Sequence, residues 1–308
     1  MIVLISAAYL YARLFRGGTI PVLFQGDQVF FWSYGQRVLH GQLPYRDFFQ
    51  ITGPLTAWLF AADFWLFGER VTAANLFTLL LGVLLTTAVF LLARHFAANA
   101  IAALIAALYV VKIFGTFLSA THHFVSMAAI AVALLILARE SSGWRCFAAG
   151  CACGFATLGT QTHGLAASAA LLVALLLERD IAFPDRVRRC ALLASGLLLV
   201  VLPPELLLGG AVGFARLWYY QVGLPSRWPG SGASSAWWIG NDPTAWAAVS
   251  LFMIYAFAPC VYALSAWRLF RMPAPPGDRF AKLMLAVGVA LTLEVWLAPN
   301  EMRIFAVA

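Results

Sequence analysis

A succession of long apolar runs limits what this chain can fold into more than any other feature. After a first run at about 1–15, they fall at about 71–93, 97–118, 124–138, 146–162, 165–178, 190–208, 244–267 and 281–298. In lipid every backbone N–H and C=O must be satisfied within the protein, so spanning segments are helices or closed barrels. These runs are continuous and do not alternate at period two, which argues against a barrel. Hydrophobic residues make up 63% of the chain and charged ones 11%, whereas soluble domains carry about 25% charged residues. At about 20 residues per span, the expectation is an all-α polytopic membrane protein with about nine transmembrane helices. It forms a single domain over 1–308, with no room for a sizeable soluble one.

The formal charge of +7 does not gather in one patch. Basic residues sit in short segments between apolar runs: Arg94; Arg139 and Arg145; Arg179, Arg186, Arg188 and Arg189; Arg268, Arg271, Arg279 and Lys282. That is the positive-inside pattern of cytoplasmic loops, and it gives no footprint for nucleic acid. With these segments inside, the N-terminus is cytoplasmic, and 16–70, 119–123, the turn near 161–164 and 209–243 face outwards. The first run lacks a basic n-region and a small-residue cleavage site, so it reads as a retained span over about 1–15; for so short a span, either the true start lies upstream or the helix extends towards Val22. Five cysteines lie in or beside apolar runs without redox or zinc spacing, which fits small packing residues.

A polar island interrupts this pattern between the first span and the rest. It contains Gly26-Asp27-Gln28, the run Gly41-Gln42-Leu43-Pro44-Tyr45-Arg46-Asp47, and Gly53-Pro54. Residues 28–40 carry aromatics on one side and polar groups on the other, as a helix lying in the interface plane does. Residues 54–68, interrupted by Asp63, read as a second interfacial or shallow helix ending at Gly68. The long first outer loop thus holds two short helices, and the polar island within it carries two carboxylates, Asp27 and Asp47.

Asp27 has two compatible roles: a general base at the membrane surface, or an N-cap satisfying the first N–H groups of the helix after it. Asp47 and Arg46 are either ordinary loop charges or, beside Tyr45, ligands for hydroxyls and a phosphate oxygen. His122 and His123 form either a helix start capped by Thr121 or a second acid–base pair. Adjacent helical residues point about 100° apart, so one of the two can aim at a shared site. Gln161 and His163 lie at membrane depth, where polar groups face a cavity or a partner helix. Lys112 and Glu294 are further intramembrane ionisable groups. Arg216 and Arg227 stand in the second long outer loop, 209–243, among tryptophans and tyrosines suited to the membrane interface.

Taken together these residues resemble the GT-C glycosyltransferases that use polyprenyl-phosphate sugars, the group of protein O-mannosyltransferases and lipid A aminoarabinose transferases. The likeness runs from Gly26-Asp27 through Gly41–Phe48, Gly53-Pro54-Leu55, Leu66-Phe67-Gly68 and Leu92-Ala93-Arg94, and more loosely to Gly154–Gly164 and the aromatic outer loop. Two departures stand out. Many members have Asp-Glu where this chain has Asp27-Gln28, and many have an acidic residue near His122-His123.

The resemblance implies a GT-C-like bundle and a catalytic Asp in the first outer loop, carried here to Asp27, with Asp47 beside it. Tyr45, Arg46, His122, His123, Gln161, His163 and Arg227 are then the expected substrate-binding groups. The expected activity is transfer of a sugar from a polyprenyl-phosphate donor to a hydroxyl on a lipid, glycan or protein. It would occur with inversion, at the outer face of a bacterial inner membrane. No cofactor is fixed by the sequence, and a divalent metal is left open. The rival reading is a secondary transporter or lipid flippase, which would want ionisable groups in central helices and inverted repeats. Past the last apolar run the sequence reaches Ala308, which fits a fragment or a compact member without a C-terminal domain.

Overall fold

The computed structural model describes residues 1–22, 26–139, 142–227, 256–271 and 278–296. Helix α1 spans Ile2–Leu14, and a hairpin of β1 (Phe15–Arg16) and β2 (Ile20–Pro21) follows it. Then come α2 (Asp27–Leu39), α3 (Leu55–Phe67), α4 (Val71–Ala93), α5 (Asn99–Leu108) and α6 (Gly115–Phe117), the last two joined by a π-helical turn over Tyr109–Phe114. The remainder is α7 (His122–Leu137), α8 (Gly143–Gly159), α9 (Gln161–Leu176), α10 (Phe183–Val212), α11 (Phe214–Trp218) and α12 (Leu224–Arg227). After these stand α13 (Ala258–Arg271) and α14 (Asp278–Trp296). Among the described residues, three helices are long and apolar enough to cross a bilayer: Val71–Ala93, Asn99–Phe117 and Phe183–Val212. Ile2–Leu14, Leu55–Phe67, His122–Leu137 and Gln161–Leu176 are shorter apolar helices.

The first helix does not extend towards Val22, one of the two alternatives for its short run; it stops at Leu14. Gly17 and Gly18, at φ 57° and 81°, turn the chain back as a hairpin with Arg16 paired to Ile20. The Tyr11 hydroxyl donates to the Gly18 carbonyl across that turn. Buried Asn75 of α4 holds the returning strand: its Nδ2 donates to the carbonyls of Leu14 at 3.0 Å and Val22 at 3.1 Å. Asn75→Leu removes both bonds; the Leu14 carbonyl keeps the Val22 N–H at 2.9 Å, while the Val22 carbonyl loses the Asn75 donor, at about 1–3 kcal/mol for a buried group left unsatisfied. A lowered thermal midpoint of the detergent-solubilised protein is the expected result, and an unchanged midpoint would contradict this anchor.

Contacts between helix termini define two ends. At one end Arg279 donates to the carbonyls of Leu137 and Arg139, where α7 finishes, and pairs at 2.6 Å with Glu178 just past α9. Arg189 of α10 also pairs with Glu178 there, and His95 and Phe96 beyond α4 pack on Phe280 of α14. At the opposite end lie the hairpin, the first turn of α2 and the starts of α3, α7 and α9. One apolar core joins α1–α7 around Leu10, Phe60, Phe64, Phe114 and Phe124; a second joins α7–α10 and α14 around Ile130, Leu171, Leu193 and Leu283.

Helices in lipid gain little from apolar contact alone, so close packing by small residues becomes the source of association. The α8–α10 pair shows this. A Cβ on Gly150 would sit 2.0 Å from the Leu193 carbonyl oxygen, and one on Gly196 would sit 2.1 Å from that of Phe147. Cys146 and Cys153 are buried as small packing residues, Cys151 and Cys190 are half-buried and Cys260 is exposed; all five are free thiols.

Candidate active site

The site is built on α2 and on how that helix is fixed. Gly26, at φ 93°, occupies the N-cap position, so Asp27 is the first helical residue and not the cap the sequence suggested. A left-handed turn there suits glycine, which has no Cβ to clash. The next residue, Gln28, is buried and donates from Nε2 to Oγ1 of Thr78 in α4 at 3.0 Å. Thr78 in turn donates to the Ala74 carbonyl. Position 28 therefore anchors the helix, and the amide that departs from the family's common Asp-Glu pair serves as a donor to a neighbouring hydroxyl. Asp27, about 100° around the helix, is half-buried and stands in the positive field of the α2 N-terminus.

One turn further on, the aromatic face of α2 fixes its neighbours. The Phe31 ring lies 5.2 Å from that of His122 at the start of α7. Tyr34 stacks on Phe48 at 5.1 Å, and burial raises its phenol pKa, opposed by Arg37 and reinforced by the charge of Asp27. Tyr34 thus feels the charge of Asp27 while its ring rests on Phe48 of the 43–48 turn. At the far end of α2, Gln36 and His40 both reach Glu69, at 3.1 and 2.9 Å.

The Pro-Tyr-Arg-Asp run folds into a tight turn that sorts its side chains. Asp47 Oδ2 accepts from the Leu43 N–H at 2.8 Å, while the Asp47 N–H donates to the Leu43 carbonyl at 3.0 Å. Arg46 grips the same carboxylate with Nε and Nη2 at 2.9 and 2.8 Å. This forked hydrogen bond comes first, and the Leu43 N–H and the nearby Arg216 add to it; together they hold the Asp47 carboxyl down at about 2. Both members of the pair are exposed. Tyr45 points the other way and is buried, at a φ of 66° that ordinary residues rarely adopt. Such strain persists only where surrounding contacts over-determine it. Here the Tyr45 hydroxyl donates to the Thr52 carbonyl and accepts from Nε2 of Gln221, which also donates to Oε1 of Glu205 at 3.1 Å.

Arg216 completes this corner. Its Nη2 lies 3.4 Å from the Arg46 carbonyl, and its guanidinium sits over the Tyr220 ring. Tyr220 in turn meets Phe49 edge-on at 5.9 Å. Two guanidiniums and a row of aromatics therefore lie together beside the 43–49 turn.

The starts of α3, α7 and α9 are tied into one surface. Gly53 packs on the last turn of α8, Gln161 Nε2 donates to the Ile51 carbonyl at 3.3 Å, and Thr160 Oγ1 donates to the His122 carbonyl at 3.1 Å. Unsatisfied first-turn N–H groups of three helices make such an end hospitable to anions. Thr121 holds the N-cap position of α7 but makes no side-chain cap bond. The two histidine rings stay together, with centroids 3.9 Å apart: His122 also meets Phe31, while His123 is buried with its Nδ1 3.2 Å from Nε2 of His163. His163 is fully enclosed. Lys112 lies in the π-helical turn, exposed. Arg227 closes α12, while the rest of the second long loop, 228–243, lies outside the described residues. Among the described residues, no group of three or more His, Cys, Asp or Glu is arranged to hold a metal ion.

Three groups escaped the sequence reading. Glu205 follows Pro203-Pro204 inside a span, a signal that was available. Gln221 had none. Asp63 of α3 was noted only as an interruption, yet it is buried, and neither its Oδ2 nor Nε1 of nearby Trp32 has a hydrogen-bond partner among the described residues. Burial pushes the Asp63 carboxyl up to about 7. Between the ordinary value near 4 and this one, the folded chain keeps a proton that the unfolded chain releases. Stability therefore falls as pH rises through that window and stays low above it. Asp63→Asn is expected to raise the thermal midpoint at pH 8.5 and to change it little at pH 5; equal shifts at both would contradict the assignment.

The architecture defines a class. Over 99% of its length the chain superposes on 56% of ArnT from Cupriavidus metallidurans, solved bound to undecaprenyl phosphate, with a TM-score of 0.67 at 14% identity. All of it superposes on 47% of the oligosaccharyltransferase of Archaeoglobus fulgidus, solved with zinc and sulfate, with a TM-score of 0.59 at 16% identity. Both are GT-C glycosyltransferases, and the fold here is theirs. The chain spans about half the length of these structures. No curated protein matches it significantly in sequence. The profile of the dolichyl-phosphate-mannose-protein mannosyltransferase family matches residues 52–207, half of the chain, and the chain belongs to that family. Asp27 and the Arg46–Asp47 pair lie ahead of the matched stretch.

Proposed function

We propose that this chain is a membrane glycosyltransferase that moves a sugar from a polyprenyl-phosphate donor to a hydroxyl acceptor, with inversion. The acceptor belongs to a lipid, glycan or protein, and the reaction runs at the outer face of a bacterial inner membrane. What carries the reading is one juxtaposition: Tyr34, close enough to feel the charge of Asp27, stacks on Phe48 of the turn that presents Arg46, and Arg216 reaches the Arg46 carbonyl. Family membership and the GT-C fold support it.

In this mechanism the half-buried Asp27 accepts the proton of the attacking hydroxyl. The hydroxyl oxygen bonds to the anomeric carbon as the bond to phosphate breaks, and the electron pair leaves with the lipid phosphate. Arg46 and Arg216 meet the charge that grows on this leaving group. Asp47, ionised at any working pH and already shared between Arg46 and a backbone N–H, is a poor base. Its part is to hold the Arg46 guanidinium in place. Tyr45 fixes the same turn from beneath, and the exposed rings of Phe49, Trp218 and Tyr219 suit the lipid chain. Gln161 ties the Ile51 segment to the surface formed by the starts of α7 and α9, where His122 closes the wall. Arg227 reaches the phosphate from the second loop.

Binding of undecaprenyl phosphate to the purified protein tests the phosphate half of this reading. The double variant Arg46→Gln/Arg216→Gln is expected to weaken binding by about tenfold or more, from loss of two charge-assisted contacts. Unchanged affinity would overturn the assignment of these arginines.

A further inference from the structure

One carboxylate on a spanning helix has no part in the mechanism above. Glu205 follows Pro203-Pro204 in α10, seven residues before that helix ends at Val212. An ionisable side chain is costly within a span and is kept there for a path or a specific partner. The partner here is Gln221, in the π-helical turn over Tyr219–Gly223. Its Nε2 donates to Oε1 of Glu205 at 3.1 Å and to the Tyr45 hydroxyl oxygen at 3.2 Å. The Tyr45 hydroxyl passes its own hydrogen to the Thr52 carbonyl.

This file of hydrogen bonds has a direction. Glu205 Oε1 accepts at one end and the Thr52 carbonyl accepts at the other. Both hydrogens of the Gln221 amide and the single hydrogen of Tyr45 are used between them, each in one sense only. Apolar packing alone would not fix that arrangement. Leu208 and Val212, on the same side of α10 as Glu205, pack with Leu217 around the rings of Tyr45 and Tyr220. Such contacts are non-directional and tolerate rotation of the rings they hold.

The file joins the two parts of the phosphate corner. Tyr45, held at a φ of 66°, immediately precedes Arg46. Gln221 immediately follows Tyr220, whose ring meets Phe49 and carries the Arg216 guanidinium. Arg216 in turn reaches the Arg46 carbonyl. We infer that Glu205 is a positioning residue for the lipid phosphate: through Gln221 and Tyr45 it sets where the Arg46 and Arg216 guanidiniums stand. It touches neither donor nor acceptor. The inference rests on the glycosyl-transfer reading, which assigns those two arginines to the phosphate. A carboxylate that served the fold alone would lower stability on removal whether or not the arginines were present. A positioning residue shows its loss in binding only while they are.

Binding of undecaprenyl phosphate to the purified protein in lipid nanodiscs, read beside thermal midpoints, tests this. Glu205→Leu and Gln221→Leu each break the file and are expected to weaken binding about fivefold, within the usual coupling of residues in one network. Glu205→Gln keeps a side-chain carbonyl for Gln221 to donate to, and should bind within about twofold of the parent. In the Arg46→Gln/Arg216→Gln background, Glu205→Leu should cause no further loss, because the groups it positions are gone. Leucine variants that bind like the parent overturn the inference. So does a Glu205→Gln variant as weak as Glu205→Leu, or a further loss in the background without the arginines. Should Glu205→Leu fail to fold, Gln221→Leu must give the same results in both backgrounds. A parent that binds no undecaprenyl phosphate overturns the glycosyl-transfer reading together with this inference; a parent that binds it, with unaffected leucine variants, overturns this inference alone.

Discussion

Replacing Asp27 with Asn is expected to lower sugar transfer by about 10²- to 10⁴-fold, the range in which a positioned general base contributes. The substitution keeps size and hydrogen-bonding capacity and removes the basic oxygen. Folding should be untouched, because the neighbouring Gln28 anchors α2 through Thr78 and Gly26 makes the turn before it. Chain yield, helix content and thermal midpoint of Asp27→Asn should therefore match the parent. Binding of undecaprenyl phosphate should persist as well, since the arginines assigned to the phosphate belong to the 43–48 turn and α11, and their contacts to Asp47, the Arg46 carbonyl and Tyr220 do not involve Asp27. Wild-type turnover in this variant would remove Asp27 from the mechanism.

Gly53→Ala is expected to be the most damaging single methyl in the site. Its Cβ would stand 2.0 Å from the Leu158 carbonyl oxygen and 2.5 Å from the carbonyl carbon, a backbone wall that cannot rotate away. Relief comes only by lifting the 50–54 segment off the end of α8, at the roughly 1–3 kcal/mol usual for overpacking. That movement breaks the contact of Gln161 with Ile51 and disturbs Gln50, which donates to the Gly53 carbonyl at 2.7 Å. It also shifts Thr52, which receives the Tyr45 hydroxyl beneath the Arg46–Asp47 turn. A displacement of about 1 Å in a positioning element costs on the order of a hundredfold in rate. Gly210→Ala, in a helix with nothing within 4 Å of the added methyl, serves as the control and should be silent. Equal turnover in the two variants would show that docking against α8 does not position the site.

The helices were legible where apolar runs end in residues that lipid rejects. The run at 71–93 became Val71–Ala93, bounded by Arg70 and Arg94, and the run at 54–68 became Leu55–Phe67 with Gly68 at φ 84° closing it. Gly17-Gly18 was equally present in the sequence, but a hydrophobic reading carries straight across it into Ile20 and Val22. Turn chemistry won there, and Asn75, sixty-one residues beyond Leu14, holds the result. The local content of the polar island could be read as a turn with charges outside. Its partners could not, because Glu205, Arg216 and Gln221 come from two helices and a π-helical turn, with sequence separations of 170 for Arg216 from Arg46 and 176 for Gln221 from Tyr45. Glu294 looked like an isolated intramembrane charge, a feature of the transporter reading, until α14 brought it to His163. Helical periodicity says which face a residue occupies; only packing says which face it meets.

The most direct measurement is incubation of the purified protein with radiolabelled undecaprenyl-phosphate sugars and a panel of lipid, glycan and peptide hydroxyl acceptors. The anomeric configuration of any product is then read by NMR. The expected result is a glycosylated acceptor of inverted configuration, formed with release of undecaprenyl phosphate and abolished in Asp27→Asn. Transport of the lipid-linked sugar across a vesicle membrane with no transfer to any acceptor, or transfer that survives in Asp27→Asn, would contradict the account.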